Sequence, residues 1–450
     1  VNTPSVHRPL EPPERRSVIT LLASSFTSLA AILALTTALG KQVYDLTGSE
    51  LALGLLGLAE FAPNALLVLV TGSLADRFDR RRITSVSMLA QAATIGGLSA
   101  YTAFDGSSVE VVFAFVLVFG IARAFGWPAI RALPPDVVPR ERVPWLTVRS
   151  SAATQAAVIV GPVIGGFMYV VDPSVPYLAA AAMSAAAGLT ILRVRVRASE
   201  PAPTDDDAPE QIVAEAALEV SEETADLGPT MTTRARLREA SAGFVFIRQQ
   251  PVLLGAITLD LFAVLFGGAV ALLPAIAEER LGVGAVGLGW LRSAIGIGAG
   301  AMILFLTWKP LRRHVGVTLF VAVAAFGAGT VVLGLTNSYA VAFGSIVVLS
   351  AADAISMFIR GTLTPLVTPA RMRGRVLAFE MVFIGASNEL GAFESGVAGQ
   401  ILGPAAAIVL GGVATLVIAV AWAAMFPALR TIDRFPGLEE PLSDRATTSA

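Results

Sequence analysis

The sequence predicts an all-α membrane protein, with twelve transmembrane helices in two pseudo-symmetric six-helix halves. Three observations predict it. Of the 450 residues, 55% are hydrophobic. A bilayer-spanning helix needs roughly 20 mostly apolar residues, so this stock fills about a dozen spans. Charged residues are only 15%, against about 25% in soluble domains, and the mean hydropathy is +0.72. Finally, the apolar runs fall into two sets of six around one long polar interval. The same figures argue against a soluble domain or a disordered chain. A net charge of −2 gives no basic footprint for nucleic acid.

The runs follow in order. After a polar, proline-rich stretch at 1–16, span 1 runs from Val18 to about Leu39, too long for the apolar core of a cleavable signal peptide. Spans 2–6 fall near 51–74, 82–104, 109–130, 146–170 and 176–193. Spans 7–12 fall near 252–275, 285–307, 315–335, 339–360, 376–399 and 404–427. The expected organisation is therefore a tail at 1–16, a six-helix half at 17–193, a linker at 194–250, a second half at 251–428 and a tail at 429–450. Residues 200–226 of the linker are acidic, with no Lys or Arg, and read as a solvated tether. From Thr233 to Gln249, Leu237, Phe244 and Ile247 are spaced for one apolar helix face. That segment is expected to lie on the membrane surface.

Arginine placement gives the orientation. Loops 2–3, 4–5, 8–9 and 10–11 hold Arg77, Arg80, Arg81, Arg82, Arg140, Arg142, Lys309, Arg312, Arg313, Arg371, Arg373 and Arg375. The alternate loops hold Lys41 and Arg280. Twelve against two puts both termini in the cytoplasm of a multi-pass plasma-membrane protein.

The halves repeat at an offset of 233. Gly54-Leu55-Leu56-Gly57-Leu58 matches Gly287-Leu288-Gly289-Trp290-Leu291, Gly166 falls on Gly399, and Glu60 has Arg292 one position from its equivalent. Duplicated halves place a binding site at the midplane between them.

Two local motifs carry more specific information. Gly72-Ser73-Leu74-Ala75-Asp76-Arg77-Phe78-Asp79-Arg80-Arg81-Arg82 resembles the loop 2–3 signature of the major facilitator superfamily, G-x-x-x-D-R-x-G-R-R. It departs from the pattern at Asp79, where glycine is usual. The resemblance implies a gate of Gly72, Asp76, Arg77, Arg80 and Arg81, with Asp76 acting beside span 11 and the arginines holding the cytoplasmic side shut. In span 5, Gly161-Pro162-Val163-Ile164-Gly165-Gly166 resembles the antiporter motif of the same family. Its Gly161, Pro162, Gly165 and Gly166 imply close helix contact and an exporter. With Val43-Tyr44-Asp45-Leu46-Thr47-Gly48-Ser49, Arg373-Gly374-Arg375-Val376 and Asn388-Glu389-Leu390-Gly391, the chain is similar over nearly its whole length to the transmembrane secretion effector branch. That branch is similar to enterobactin exporters and macrolide efflux proteins of bacteria. It implies the twelve-helix major facilitator fold, alternating access, proton-driven export and a monomer.

Ionisable groups inside spans are costly, and are usually paired or functional. Candidates for coupling or substrate contact are Glu60, Arg123, Asp260, Arg292, Asp353, Asn388, Glu389 and Glu394. Asp260, Glu389 or Glu394 is expected to carry the proton, and Arg123 with Asp353 to form a switchable pair. At 100° per residue Glu389 and Glu394 differ by 140°, so only one of them can face the cavity. Span 1 lacks the acidic residue that family members often carry there, so coupling must rest on other helices. The cavity is expected between spans 1, 4, 7 and 10, and Phe262, Phe266, Phe320, Phe326 and Trp290 are candidates for its apolar wall.

No cysteine is present, so thiolate metal sites and Cys nucleophiles are excluded. With two histidines, no phosphate-binding loop and no nucleophile–base set, no enzyme activity, metal or organic cofactor is expected, and an ion gradient supplies the energy. The expected partners are a small-molecule substrate and the lipid bilayer. The expected function is export of a small amphipathic compound, such as a drug-like molecule or siderophore. The alternatives are a metabolite importer or uniporter, and a transporter-like sensor that moves nothing.

Overall fold

The computed structural model describes residues 12–131, 133, 137–139, 142–194 and 243–436. Side chains at 12, 13, 64, 68–70, 72–77, 127, 131, 370, 371, 378 and 382 lie outside that description.

Twelve long helices make up the described residues. They are α1 (Pro12–Thr47), α2 (Glu50–Arg77), α3 (Arg80–Ala103), α4 (Val109–Arg131), α5 (Val143–Val171), α6 (Val175–Ile191), α7 (Pro251–Phe266), α8 (Gly284–Trp308), α9 (Val315–Leu335), α10 (Tyr339–Val367), α11 (Ala370–Leu402) and α12 (Pro404–Met425). Eleven spans are long and apolar enough to cross a membrane, counting the α7 segment through to Arg280, and α6 is a shorter apolar helix of 17 residues. Proline opens α5, α6, α7 and α12 at the first or second helical position, where its missing N–H costs nothing. Gly403 joins α11 to α12 at φ 82° and ψ 151°, a conformation open essentially to glycine alone.

The helices outrun the apolar runs that predict them. α1 continues past Leu39 and buries Lys41 and Gln42. Gln42 is satisfied within its own half, donating to Thr102 at 3.1 Å and accepting from Tyr177 at 2.5 Å. α7 breaks at Gly267-Gly268. The chain resumes as a 3₁₀ turn at Ala269–Leu272 and ends in a π turn at Ile276–Arg280. Irregular backbone at this depth is tolerated where protein or a cavity covers it, and Gly268 lies against the backbone of Gly391.

Each half has its own core. In the first, Leu35, Leu39, Ile95, Val116 and Tyr177 join α1, α3, α4 and α6. In the second, Leu259, Leu319, Phe320 and Ile359 join α7, α9 and α10.

Most of the expected amphipathic segment, Leu237 included, lies outside the described residues. The turn at 243–249 is helical, and its apolar residues divide: Ile247 is buried, whereas Phe244 and Val245 are 44% and 51% exposed. Ile247 is buried with Leu253, Ile257 and Val376, and Phe244 rests on Phe379 at 5.5 Å between ring centres. The ends of α7 and α11 offer an apolar notch that this turn fills.

Candidate functional site

The halves meet along α2 with α11 and α5 with α8. On one seam, a Cβ on Gly54 would stand 3.1 Å from the Cα of Gly396. On the other, a Cβ on Gly289 would stand 3.3 Å from the Cα of Gly166. Gly399 abuts Glu50 of α2, as Gly166 abuts Ala285 of α8. The sequence repeat is thus one helix contact built twice. The span 5 motif supplies both sides of it. Gly161 and Gly165 lie against Ala30 and Ala34 of α1, and Gly166 against α8.

Polar contacts reinforce these seams. Gln155 donates to the Gly296 carbonyl at 2.5 Å, and Ser293 donates to that of Ile159. Lys41 bridges Asp45 of its own helix and Glu278 of the other half, the latter at 3.1 Å. Tyr44 donates to Glu279, Tyr169 to Asp45 at 2.8 Å, and Ser49 to Gln400 at 2.6 Å. These contacts run from the middle of the bundle to the end with few arginines. The sequence reading missed Lys41, Tyr44, Glu278 and Glu279 as a group, because span 1 was ended at Leu39.

A cavity of about 500 Å³ lies between the halves. Its wall is mainly apolar, from Leu33, Leu56, Val264 and Phe326 among others. Glu60 of α2, Arg292 of α8, Asp353 of α10, and Asn388 with Glu389 of α11 supply its charged and amide groups. Glu60 lies within electrostatic reach of Arg123 and Arg292, and Glu389 of Glu60 and Arg123. Four helices therefore bring two carboxylates and two guanidinium groups into one cluster.

Other candidates fall elsewhere. Glu394 hydrogen-bonds Ser395 and does not line the cavity, while Glu389 does, as the 140° offset requires. Arg123 and Asp353 do not form the expected pair. Asp353 interacts electrostatically with Arg360, two turns along its own helix, and with Asp260 of α7. The expected lining by spans 1, 4, 7 and 10 also needs correction. α1, α7 and α10 contribute, together with α2, α5, α8, α9 and α11, but α4 supplies none of the lining residues. It packs behind α2, where Gly120 closes on Pro63. Of the aromatic candidates Phe326 alone lines the cavity; Phe262 stacks on Trp422 at 5.3 Å, and Phe320 is buried in the second core.

Asp260 sits in a second charged group that the sequence reading missed. Arg360 of α10 pairs with Asp260 at 2.7 Å and approaches Glu380 of α11 at 3.7 Å. Arg360 is 4% exposed, and Asp260 and Glu380 are 6% exposed. The predicted span 10 stops at residue 360, so Arg360 falls at its edge and outside the candidates. The apolar Leu363, Leu366 and Val367 that follow it were the available signal.

Of the loop 2–3 motif, the Gly72, Asp76 and Arg77 side chains lie outside the description. Asp79 replaces the usual glycine for a visible reason: it caps α3, accepting from the Arg81 backbone N–H at 2.9 Å. Arg81 pairs with Asp79 at 2.9 Å and donates to the Val194 carbonyl at 3.0 Å. Those contacts tie α3 to the chain after α6 within one half. Arg80 accepts at its carbonyl from Thr84. The neighbouring guanidinium holds the Asp79 carboxyl below the usual aspartate range.

The Major Facilitator Superfamily profile matches residues 17–357. The chain belongs to that superfamily. It has the major facilitator fold. It is 28% identical over 151 residues to macrolide efflux protein A of Streptococcus pyogenes, covering 34% of this chain and 35% of that protein. It is 29% identical over 180 residues to multidrug resistance protein 1 of Bacillus subtilis, covering 40% and 44%. The chain thus spans less than half the length of either relative. Its fold matches the crystal structure of a mutant of the nucleoside transporter NupG with a TM-score of 0.68. That match covers 91% of this chain and 100% of the other at 13% identity.

Proposed function

We propose that this transporter is a proton-driven exporter that carries a small amphipathic compound, a drug-like molecule or siderophore, out of a bacterial cell by alternating access. The observation that carries the reading is the cavity of about 500 Å³ between the halves, apolar in its walls and charged at Glu60, Arg292, Asp353 and Glu389. That volume is within the range of small-molecule sites, about 300–1,000 Å³. The partial likeness to efflux proteins supports the outward direction. The arginine-rich loops are taken as cytoplasmic, which leaves both termini inside a multi-pass inner-membrane protein acting as a monomer. The seams at the opposite end then close the outer side, and the cavity loads from the cytoplasm. Glu60, Arg292, Asn388 and Glu389 serve the substrate, and Arg123 acts behind them through Glu60 and Glu389. Gly72, Asp76, Arg77, Arg80 and Arg81 serve the cytoplasmic gate.

The test is transport into inside-out vesicles of a producing strain, with a macrolide and the lipophilic cation ethidium as probes. Uptake driven by an imposed pH gradient and abolished by a protonophore is the expected result. Uptake unaffected by the protonophore would indicate a uniporter. Movement in the opposite sense would indicate an importer. Binding of either probe without movement would indicate a sensor.

A further inference from the structure

We infer that the coupling proton is held in the interior of the C-terminal half, by Asp353, Asp260 and Glu380 around Arg360, in a chamber set apart from the substrate cavity and joined to it through Asp353. The inference rests on the proton-driven reading above and deepens it. Substrate and proton then occupy different sites that share one residue.

The joining residue is visible in the geometry. Asp353 lines the central cavity and also lines a small void with Asp260 and Ser356. The void is about 10 Å³, about one probe sphere and enough for one water molecule. Beyond it stands the ion pair of Asp260 and Arg360, and beyond that Glu380, which accepts a hydrogen bond from Thr364. A path of polar groups therefore leads from the cavity into the C-terminal half.

The charge balance says what the chamber holds. Three carboxylates face one guanidinium, and Asp260, Glu380 and Arg360 are each more than nine-tenths buried. An unbalanced buried charge is costly, and protons are the smallest cations that cancel it. Among the described contacts of these three carboxylates, Arg360 is the cation that faces them. α7 contributes Asp260, α10 contributes Asp353 and Arg360, and α11 contributes Glu380. α9 faces the void with Ala322, Val323 and Phe326, and α12 meets α7 through Thr415 and Trp422. The other charges on the cavity wall are Glu60, Arg292 and Glu389. The Nε of Arg360 is buried with no acceptor. This leaves a donor inside the chamber for a carboxylate or water that changes position as protons come and go.

The step is a plain proton transfer. A proton from water in the cavity adds to a carboxylate oxygen of Asp353 and passes through the water-sized void to Asp260, whose bond to Arg360 it weakens. Arg360 then rests on Glu380. Release reverses the sequence, and no bond other than O–H and its hydrogen bonds forms or breaks.

Two measurements test this, one of them independent of any substrate. In the purified protein, infrared spectroscopy at neutral pH should show the C=O stretch of a protonated carboxyl, and that band should disappear in Asp353→Asn. A wild-type protein without the band overturns the proposal even if no probe is moved. In proteoliposomes, Asp260→Asn should lose pH-gradient-driven ethidium transport while retaining ethidium counterflow, which needs no net proton movement. The double variant Asp260→Asn/Arg360→Gln removes the stranded cation and guards against a folding defect. It should behave the same way. Variants that still respond to the pH gradient, variants that lose counterflow as well, or a wild-type protein driven by a sodium gradient would each overturn it. A wild-type protein that shows the carboxyl band but moves neither ethidium nor a macrolide would instead remove the exporter reading.

Discussion

Arg360 on α10 and Asp260 on α7 are paired at 2.7 Å in the interior of the C-terminal half, with Glu380 on the other flank at 3.7 Å. The unequal distances rank the two carboxylates. Removing one member of a buried pair strands the other charge and costs about 3–5 kcal/mol. Asp260→Ala should therefore lower the apparent unfolding temperature in detergent far more than Glu380→Ala. Equal losses would show that Arg360 is held by both flanks alike.

The glycines of α5 allow a sharper stability test, because their neighbours are backbone. A Cβ on Gly165 would stand 2.8 Å from the Cα of Ala34, and α1 cannot yield without moving the helix. Gly165→Ala should destabilise by about 1–3 kcal/mol through overpacking. Gly361, on the exposed side of α10, has nothing within 4 Å. There Gly→Ala should stabilise by up to about 1 kcal/mol, since alanine loses less freedom in a helix. Thermal unfolding of the two variants against the parent checks both signs. If Gly165→Ala leaves stability unchanged, α1 and α5 are not packed as closely as described.

These two sites mark what the sequence made legible. Hydropathy located all twelve helices, because lipid demands long apolar runs whatever the tertiary contacts. The repeat located the seams, because a close helix contact needs small residues, and Gly54, Gly166 and Gly399 are visible as letters. The pairing of charges was not legible. Arg123 and Asp353 lie 230 residues apart, within one helical turn of equivalent positions in the repeat, yet each meets charges that other helices bring to it: Glu60 and Glu389 for Arg123, Asp260 for Asp353. Helix rotation decides such contacts, and rotation is set by packing. Lys41 and Arg360 were passed over for a related reason. Each lies where an apolar run ends while its helix continues, so hydropathy places them in the interface and the fold buries them.

At the start of α3, Asp79 both caps the helix and pairs with Arg81. Restoring the family's usual residue with Asp79→Gly should leave transport standing but loosen this corner. Replacing a capping aspartate typically costs about 1 kcal/mol with alanine and a few tenths with glycine. The sign of the pH dependence follows from the lowered carboxyl. A group depressed on folding contributes fully above its unfolded value, about 3.9 for aspartate, and loses that contribution as pH falls through the folded value. The stability difference between parent and Asp79→Ala should therefore be constant from neutral pH down to about pH 5 and shrink only in stronger acid. A difference that changes between pH 6 and 8 would assign the effect to another group.

The contacts of Lys41 with Glu278 and of Tyr44 with Glu279 join the two halves at the arginine-poor end. None of the four lines the cavity, so their effect should be on the balance between conformations and not on binding. Lys41→Met with Tyr44→Phe removes both links and keeps similar side-chain size. Glu278 is about half exposed, so each link is worth on the order of 1 kcal/mol or less. Opening of that end should rise by about thirtyfold at most for the pair, at about 1.4 kcal/mol per factor of ten. The absence of cysteine makes the measurement direct. Thr37→Cys places one thiol on the cavity wall, and its labelling by a membrane-impermeant maleimide from the arginine-poor side reports opening. Labelling should be slow in the otherwise intact protein and faster in the double variant. Unchanged labelling would mean that the glycine seams, rather than these polar links, hold that end closed.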